Sequence, residues 1–148
     1  MGELLYEFKY HYDFSKLNDI MELVTPFLVE WEISDKIDTI LSAPASKRRS
    51  MQPVYELSKK IGTYLNKPVG KDVFEKNDLI QAKDLSTEQK EEIAKAIKKV
   101  KSAKRVLNIL LIDDLFATGK TLEACVKELR KDSNINNIYI LTLTKTKG

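Results

Sequence analysis

Two adjacent acids and a short threonine, glycine and lysine segment lie close together in the last third of the chain. Asp113 and Asp114 follow a run from Leu107 to Ile112 that is apolar except for Asn108, and the segment Thr118-Gly119-Lys120-Thr121 begins four residues after Asp114. The spacing predicts a buried strand ending at the acids and a helix beginning at the second segment. Because ligands of open α/β sheets bind outside the carboxyl ends of the strands, we expect a ligand site here.

The two segments suit different parts of one ligand. Amide N–H groups at a helix start, with the hydroxyls of Thr118 and Thr121, suit a phosphate, and Gly119 lets the backbone approach it closely. Asp113 and Asp114 would repel a phosphate, so they suit hydroxyl groups or a hydrated Mg²⁺ instead. A phosphate pocket beside a pair of acids that binds a diol predicts a ribose 5-phosphate.

A nucleoside-triphosphate P-loop is the rival interpretation of the same residues. Gly119-Lys120-Thr121 matches the last three positions of that motif. The motif also requires glycine at position 114, where the chain must wrap around the phosphates. The residue there is Asp114, whose charge and size both oppose that use, so the P-loop is disfavoured.

Strands and helices are predicted to alternate along the chain. The predicted strands are residues 4–12, 37–41, 107–112 and 138–143, with a short strand within 68–74. The predicted helices are residues 15–31, 52–66, 86–100 and 118–131. This alternation predicts a single-domain α/β fold with an open, mainly parallel sheet flanked by helices.

Three of these helices carry particular expectations. Pro26 is predicted to kink or break the first helix, whose apolar spacing includes Phe27 on the inward face. A capping box opens the helix predicted over 86–100, and its apolar spacing turns Ile93, Ile97 and Val100 inward. Cys125 lies on the apolar stripe of the helix predicted over 118–131 and is expected to be a small core residue.

Composition excludes several classes of protein. The chain has 148 residues, 43% of them hydrophobic and 32% charged, with only five glycines and four prolines, which excludes collagen-like, low-complexity and disordered chains. No apolar run is long enough to span a bilayer. One cysteine and one histidine exclude a disulfide framework and an ordinary structural zinc site, and with no secretory signal they favour a cytoplasmic protein.

The net charge of +3 is a mild excess of basic residues. Residues 90–105 hold seven basic side chains against two acids. We expect a solvated face there, and a nucleic-acid contact is the alternative.

The segment from Asp113 to Thr121 resembles the phosphoribosyl-pyrophosphate (PRPP) signature of type I phosphoribosyltransferases, an apolar run followed by two acids and Thr-Gly-x-Thr. The stretch SAPASKRRSMQPVYELSKKIG, residues 42–62, is similar to the corresponding region of the ComF-like members. The resemblance covers residues 37–143. This chain departs from the ComF pattern at Arg49-Ser50-Met51, which replaces a run resembling Arg-Gly-Phe-Asn.

The resemblance implies roles for particular residues. Asp113 and Asp114 would contact the ribose hydroxyls, directly or through water bound to Mg²⁺. The 5-phosphate would be bound by Ala117, Thr118, Gly119, Lys120 and Thr121. The pyrophosphate loop would be Ala43, Pro44, Ala45 and Ser46, with positive charge from Lys47, Arg48 or Arg49. The loop predicted over 75–85 would be the lid, with Lys76 and Lys83 as cationic contacts.

The resemblance also implies an activity, namely the transfer of a 5-phosphoribosyl group from PRPP to a base, with release of pyrophosphate. It further implies a Mg²⁺-dependent enzyme that forms a homodimer. A hood that binds the base would come from residues 1–35, with Tyr6, Tyr10, Tyr12 or Trp31 as stacking residues. The alternative is a non-catalytic module that senses PRPP or nucleotides, linked to DNA uptake or repair. The acceptor base stays open.

Overall fold

Eight main elements make up the part of the chain that the computed structural model describes, residues 15–44, 52–76, 97–116 and 119–145. In chain order they are α1 (Ser15–Trp31), β1 (Thr39–Ser42), α2 (Pro53–Leu65), β2 (Phe74–Lys76), β3 (Ile97–Lys99), β4 (Leu107–Phe116), α3 (Lys120–Arg130) and β5 (Ile135–Lys145). A short 3-10 helix, Ile33–Lys36, follows α1.

The larger sheet is parallel, and β4 is its central strand. Among the described residues it contains three strands in the order β1-β4-β5. Ile109 to Ile112 of β4 are at most 1% exposed, because helices cover both faces of the sheet. A strand buried on both faces needs a continuous apolar run rather than alternation, and the sequence supplies one. The predicted α/β class with a mainly parallel sheet flanked by helices is confirmed.

Two apolar clusters hold the layers together, one on each face of the sheet. On one face α1 and α2 pack against the sheet, and the fully buried members are Ile20, Leu28, Ile33, Ile40, Leu57, Ile61, Leu110 and Ile112. On the other face α3 packs with β3, and the fully buried members are Ile97, Ile109, Leu111, Cys125 and Leu129. Alternate residues of β4 therefore belong to different clusters, as the period of a strand requires. Cys125 is a core residue, as expected.

Asn108 fixes the register of β4 against both neighbouring strands. Its backbone N–H donates to Asp38 Oδ2 at 2.8 Å, and the Asp38 N–H donates to the Asn108 carbonyl at 2.8 Å. On the other side, Asn108 Oδ1 accepts from the backbone N–H of Asn137 at 3.0 Å and from the Asn136 side chain at 3.1 Å. These bonds at the amino ends of the strands determine which residues lie opposite each other at the carboxyl ends.

Two of the predictions about residues of α1 are wrong. The predicted break at Pro26 is wrong, because the helix continues five residues further to Trp31. The proline removes one backbone donor, but buried Val24 and Leu28 pack on either side of it and hold both halves in place. Phe27 is 50% exposed rather than inward, because it lies at the edge of the buried stripe, where its ring contacts Trp31 at 5.5 Å between centroids.

The predicted helix over residues 86–100 is wrong at its end. Residues Ile97–Lys99 form β3, which pairs antiparallel with β2. Ile97 is buried, as expected, but it packs from a strand, and Val100 is 52% exposed rather than inward. The helical spacing of three apolar residues gave no indication that β2 would pair with this segment. That pairing satisfies the backbone hydrogen bonds of residues 97–99.

Other predictions fall on residues outside those described. They are the strand at 4–12, the loop over 77–85 and the remainder of the helix at 86–96. Of the loop predicted over 75–85, the first two residues belong to β2. No helix of the described ranges is long and apolar enough to cross a membrane.

Candidate functional site

The carboxyl edge of the sheet brings two of the predicted site segments together. Ser42, the last residue of β1, lies opposite Ile112 of β4, and the Ala43 N–H donates to the Ile112 carbonyl at 2.8 Å. Asp113 is the next residue of β4. The turn that starts with Ala43 and Pro44 therefore leaves the sheet beside the first of the two acids, although 70 residues separate Ala43 from Asp113 in the sequence.

Asp113 lies where β4 emerges from the core. It follows Ile109 and Leu111 on alternate positions, and these two residues are 1% and 0% exposed, whereas Asp113 is only half-buried. Its neighbour on β5 is Thr142. A carboxylate at such a position keeps access to water and to a ligand at the sheet edge. The backbone of Asp114 continues the same strand.

Gly119 forms the N-cap of α3 and has a left-handed backbone, with φ 78° and ψ 0°. Only glycine adopts this conformation without steric cost, so the residue type and the local geometry agree. The helix starts at Lys120, and the Glu123 N–H donates to the Gly119 carbonyl at 2.8 Å. Amide groups at the start of a helix lack acceptors within the helix and attract anions, and no side chain of the N-cap residue covers them.

Glu123 is a residue of this region that the sequence interpretation did not single out. Its carboxylate lies 3.9 Å from the Lys120 ammonium and 3.4 Å from that of Lys127. The three side chains are exposed, so these pairs stabilise the helix little. Glu123 lies three residues after Lys120 and four residues before Lys127. This spacing within a predicted helix could have identified the two ion pairs.

The structure describes only part of the predicted site. Asp113, Gly119, Lys120 and Thr121 lie at the end of β4 and the start of α3, and Ala43 and Pro44 lie beside them at the end of β1. Lys76 is the last residue of β2. The remaining predicted site residues lie outside the described ranges, and they are Ala45, Ser46, Lys47, Arg48, Arg49, Lys83, Ala117 and Thr118. Trp31, predicted as a stacking residue of a hood, is half-buried and contacts the ring of Tyr139 edge-on at 6.2 Å.

Solved structures that resemble this chain are phosphoribosyltransferases. One is the adenine phosphoribosyltransferase from Saccharomyces cerevisiae complexed with D-2,5-dideoxy-2,5-imino-altritol 1,6-bisphosphate and adenine. Its TM-score is 0.55 at 16% identity, over 90% of this chain and 68% of that one. Another adenine phosphoribosyltransferase has a TM-score of 0.56 at 17% identity, over 90% and 70% of the two chains. The Leishmania donovani UMP synthase has a TM-score of 0.52 at 15% identity, over 96% of this chain and 29% of that one.

These similarities show the fold, which is the α/β fold of the phosphoribosyltransferases. No family model matches the sequence, and no curated protein matches it. The finer resemblance to ComF-like members is not supported by the structural neighbours and stays a prediction. Asp113 and Gly119 lie at the carboxyl edge of the parallel sheet, the edge at which open α/β sheets generally bind ligands.

Proposed function

We propose that this protein is a PRPP-dependent phosphoribosyltransferase, which transfers a 5-phosphoribosyl group to a base or related acceptor and releases pyrophosphate. One observation carries the proposal. Within a phosphoribosyltransferase fold, a half-buried carboxylate (Asp113), a helix N-terminus with a left-handed glycine (Gly119) and the turn after β1 (Ala43) all lie at the carboxyl edge of the sheet.

Each group suits one part of PRPP. The segment from Ala117 to Thr121, which leads into α3, would bind the 5-phosphate through backbone amides and hydroxyls. Asp113 and Asp114 would accept hydrogen bonds from the ribose hydroxyls, which places the acids away from the phosphates. The segment from Ala43 to Ser46 would bind the pyrophosphate, with positive charge from the basic residues 47–49.

The chemistry of transfer explains why these groups suffice. As the bond between the anomeric carbon and pyrophosphate breaks, positive charge develops on the ribose and negative charge on the leaving group. Carboxylates of Asp113 and Asp114 near the ribose, and cations from residues 47–49 near the pyrophosphate, stabilise both charges if they are positioned in advance. Lys76 and Lys83 would bind PRPP as the cationic contacts of the lid. No protein nucleophile is required in this scheme.

Magnesium fits the donor chemistry of the site. Among the residues that the structure describes, no group of three or more acids, cysteines or histidines forms a metal cage. Mg²⁺ commonly binds through one or two carboxylates together with water and substrate phosphates, so a dedicated cage is unnecessary. Asp113 and Asp114 would hold the ion through its water, and the bound ion would neutralise charge on the pyrophosphate.

Titration calorimetry with PRPP and Mg²⁺ tests the binding part of the proposal. We expect saturable binding to the wild type and loss of binding in the double variant Asp113→Asn with Asp114→Asn. Asparagine keeps one acceptor oxygen but loses the charge, which lowers the contribution of each hydrogen bond by about 1–1.5 kcal/mol, so the affinity should fall by roughly 30-fold to 10²-fold. Asp35→Asn is the matched control, because Asp35 is an exposed acid of the 3-10 helix. Absence of heat from folded wild-type protein, or full affinity in the double variant, would contradict the proposal.

Pyrophosphate release tests the catalytic part. Adenine is the first acceptor to assay, since two of the structural neighbours are adenine phosphoribosyltransferases. Release that depends on both PRPP and a base establishes turnover. If PRPP binds but no natural base supports release, the protein is a binding module rather than an enzyme. The homodimer and the cytoplasmic location expected above are part of the proposal and are tested by light scattering and by fractionation.

A further inference from the structure

Two acids at the carboxyl end of α3 bind the backbone and side chains of the segment that begins with β3. Asp132 follows the helix, and Glu128 lies in its last turn. The side chains of both are about nine-tenths buried, at 11% exposure each. Acids at this end of a helix are opposed by the helix dipole, so helix stability does not explain their presence. The hydrogen bonds that these two acids accept from Lys99 and Ala103 explain their presence.

Asp132 is the centre of this arrangement. Its Oδ2 accepts from the Ala103 N–H at 2.8 Å and from Lys99 Nζ at 3.1 Å, and its Oδ1 accepts from the Asn134 N–H at 3.0 Å. The Lys99 side chain is only 10% exposed and also donates to the Lys101 carbonyl at 2.7 Å. These bonds lower the pKa of Asp132, chiefly through the Ala103 N–H, so the carboxylate stays charged at neutral pH.

Glu128 adds a second connection to the same strand. Its Oε1 accepts from the Lys99 N–H at 3.1 Å, and its other oxygen pairs with Lys131. We call Lys99, Ala103, Glu128 and Asp132 the α3 anchor. Because β3 pairs residue by residue with β2, the anchor also fixes β2, which ends at Lys76 opposite Ile97.

The anchor and the proposed phosphate site lie at opposite ends of one short helix. Helix α3 runs from Lys120 to Arg130, which corresponds to roughly 16 Å at about 1.5 Å per residue. Buried Leu122, Cys125 and Leu129 pack this helix against the sheet, and Ile97 of β3 belongs to the same cluster. A rigid helix therefore relates the position of β2 and β3 to that of Gly119.

We propose that Lys99 and Asp132 are positioning residues for PRPP binding, because their buried ion pair holds β3, and with it β2 and Lys76, in a fixed place relative to the phosphate-binding end of α3. This inference rests on the proposed function. The ion pair acts through geometry and does not touch the substrate. It therefore sets the affinity for PRPP, while the rate of the bound complex depends on the groups at the sheet edge.

The test compares Lys99→Met, Lys99→Arg and Asp132→Asn with the wild type in the full-length protein. Lys99→Met keeps the length of the side chain and leaves both backbone bonds to Asp132, so it remains informative if Asp132→Asn does not fold. Lys99→Arg retains the cation. Glu56→Gln is the matched control, because it removes a partly exposed ion pair with Lys59 on α2, away from the α3 anchor.

Hydrogen exchange reports the anchor itself. In Lys99→Met and Asp132→Asn we expect faster exchange of amides 97–103, with unchanged exchange of amides 109–112 in β4. Lys99→Arg and Glu56→Gln should exchange like the wild type. Unchanged exchange in both Lys99→Met and Asp132→Asn would overturn the inference.

The second readout is the dependence of pyrophosphate release on PRPP concentration. Displacing a binding group by about an ångström costs up to roughly 10²-fold, so we expect the KM for PRPP to rise by roughly tenfold or more in Lys99→Met. The kcat should stay within about twofold of the wild type, and Lys99→Arg should restore most of the affinity. Faster exchange with an unchanged KM would reduce the anchor to a purely structural role and overturn the inference. If the wild type itself does not bind PRPP, the proposed function fails first, which distinguishes the two failures.

Discussion

Replacement of Gly119 by alanine tests the geometry at the start of α3. The residue has φ 78° and ψ 0°, a left-handed conformation in which a Cβ meets the backbone. Holding a non-glycine residue in this region costs about 1–2 kcal/mol. Alanine has less conformational freedom than glycine in the unfolded chain, which offsets about 0.4–1 kcal/mol of that cost. We therefore expect a net destabilisation of about 1 kcal/mol.

Two measurements check this prediction. A loss of about 1 kcal/mol lowers the Tm of a 150-residue protein by roughly 2–4 °C, which thermal unfolding by circular dichroism resolves. The affinity for PRPP should also fall, because Gly119 lets the backbone approach the phosphate closely and alanine does not. Comparing the change in Tm with the change in affinity for PRPP separates an effect on folding from an effect on binding.

Glu32 is an internal control for this reasoning. It also has a left-handed backbone, with φ 56° and ψ 33°, although it is not glycine. Glu32→Gly should therefore be neutral or stabilising, since relief of strain offsets the freedom that glycine gains in the unfolded chain. If Gly119→Ala were as stable as the wild type and bound PRPP equally well, both the left-handed conformation and the phosphate site would be refuted.

Three further predictions concern stability. Leu111→Ala should lower the free energy of unfolding by about 2–5 kcal/mol in urea titrations, because Leu111 is fully buried between the layers, whereas Ile140→Ala at a 43% exposed position should cost far less. Gly62→Ala should destabilise by about 1–3 kcal/mol, since a Cβ there would lie 2.5 Å from Val69 Cγ2, and Val69→Ala should restore part of the loss. Hydrogen bonds, chiefly from a backbone N–H, lower the pKa of Asp132 below its ordinary 3.8, so its stabilising effect is complete above that value and is lost as the pH falls through the lower folded pKa. Thermal unfolding from neutral to acid pH should therefore show a weaker acid dependence in Asp132→Asn, and an unchanged dependence would contradict the assignment.

The candidate site could be located from the sequence because its parts are local. The apolar run before Asp113 identifies a central strand, and the position of Gly119 before an amphipathic stretch identifies a helix start. Both follow from backbone requirements within about 15 residues of each other. The proximity of Ala43 to Asp113 follows from the parallel pairing of β1 with β4, in the register that Asn108 sets.

Tertiary contacts determined the structure of the chain between Ala43 and Asp113. Residues 97–99 have apolar spacing compatible with a helix, yet they form a strand because β2 supplies their backbone partners and α3 buries Ile97. Local periodicity contains no information about a partner more than twenty residues away, nor about the pairing of Lys99 with Asp132. The sequence by itself determined the strand, the acids and the helix start. Only the folded chain determined how these elements are held relative to β3, because that depends on side chains that meet across long separations.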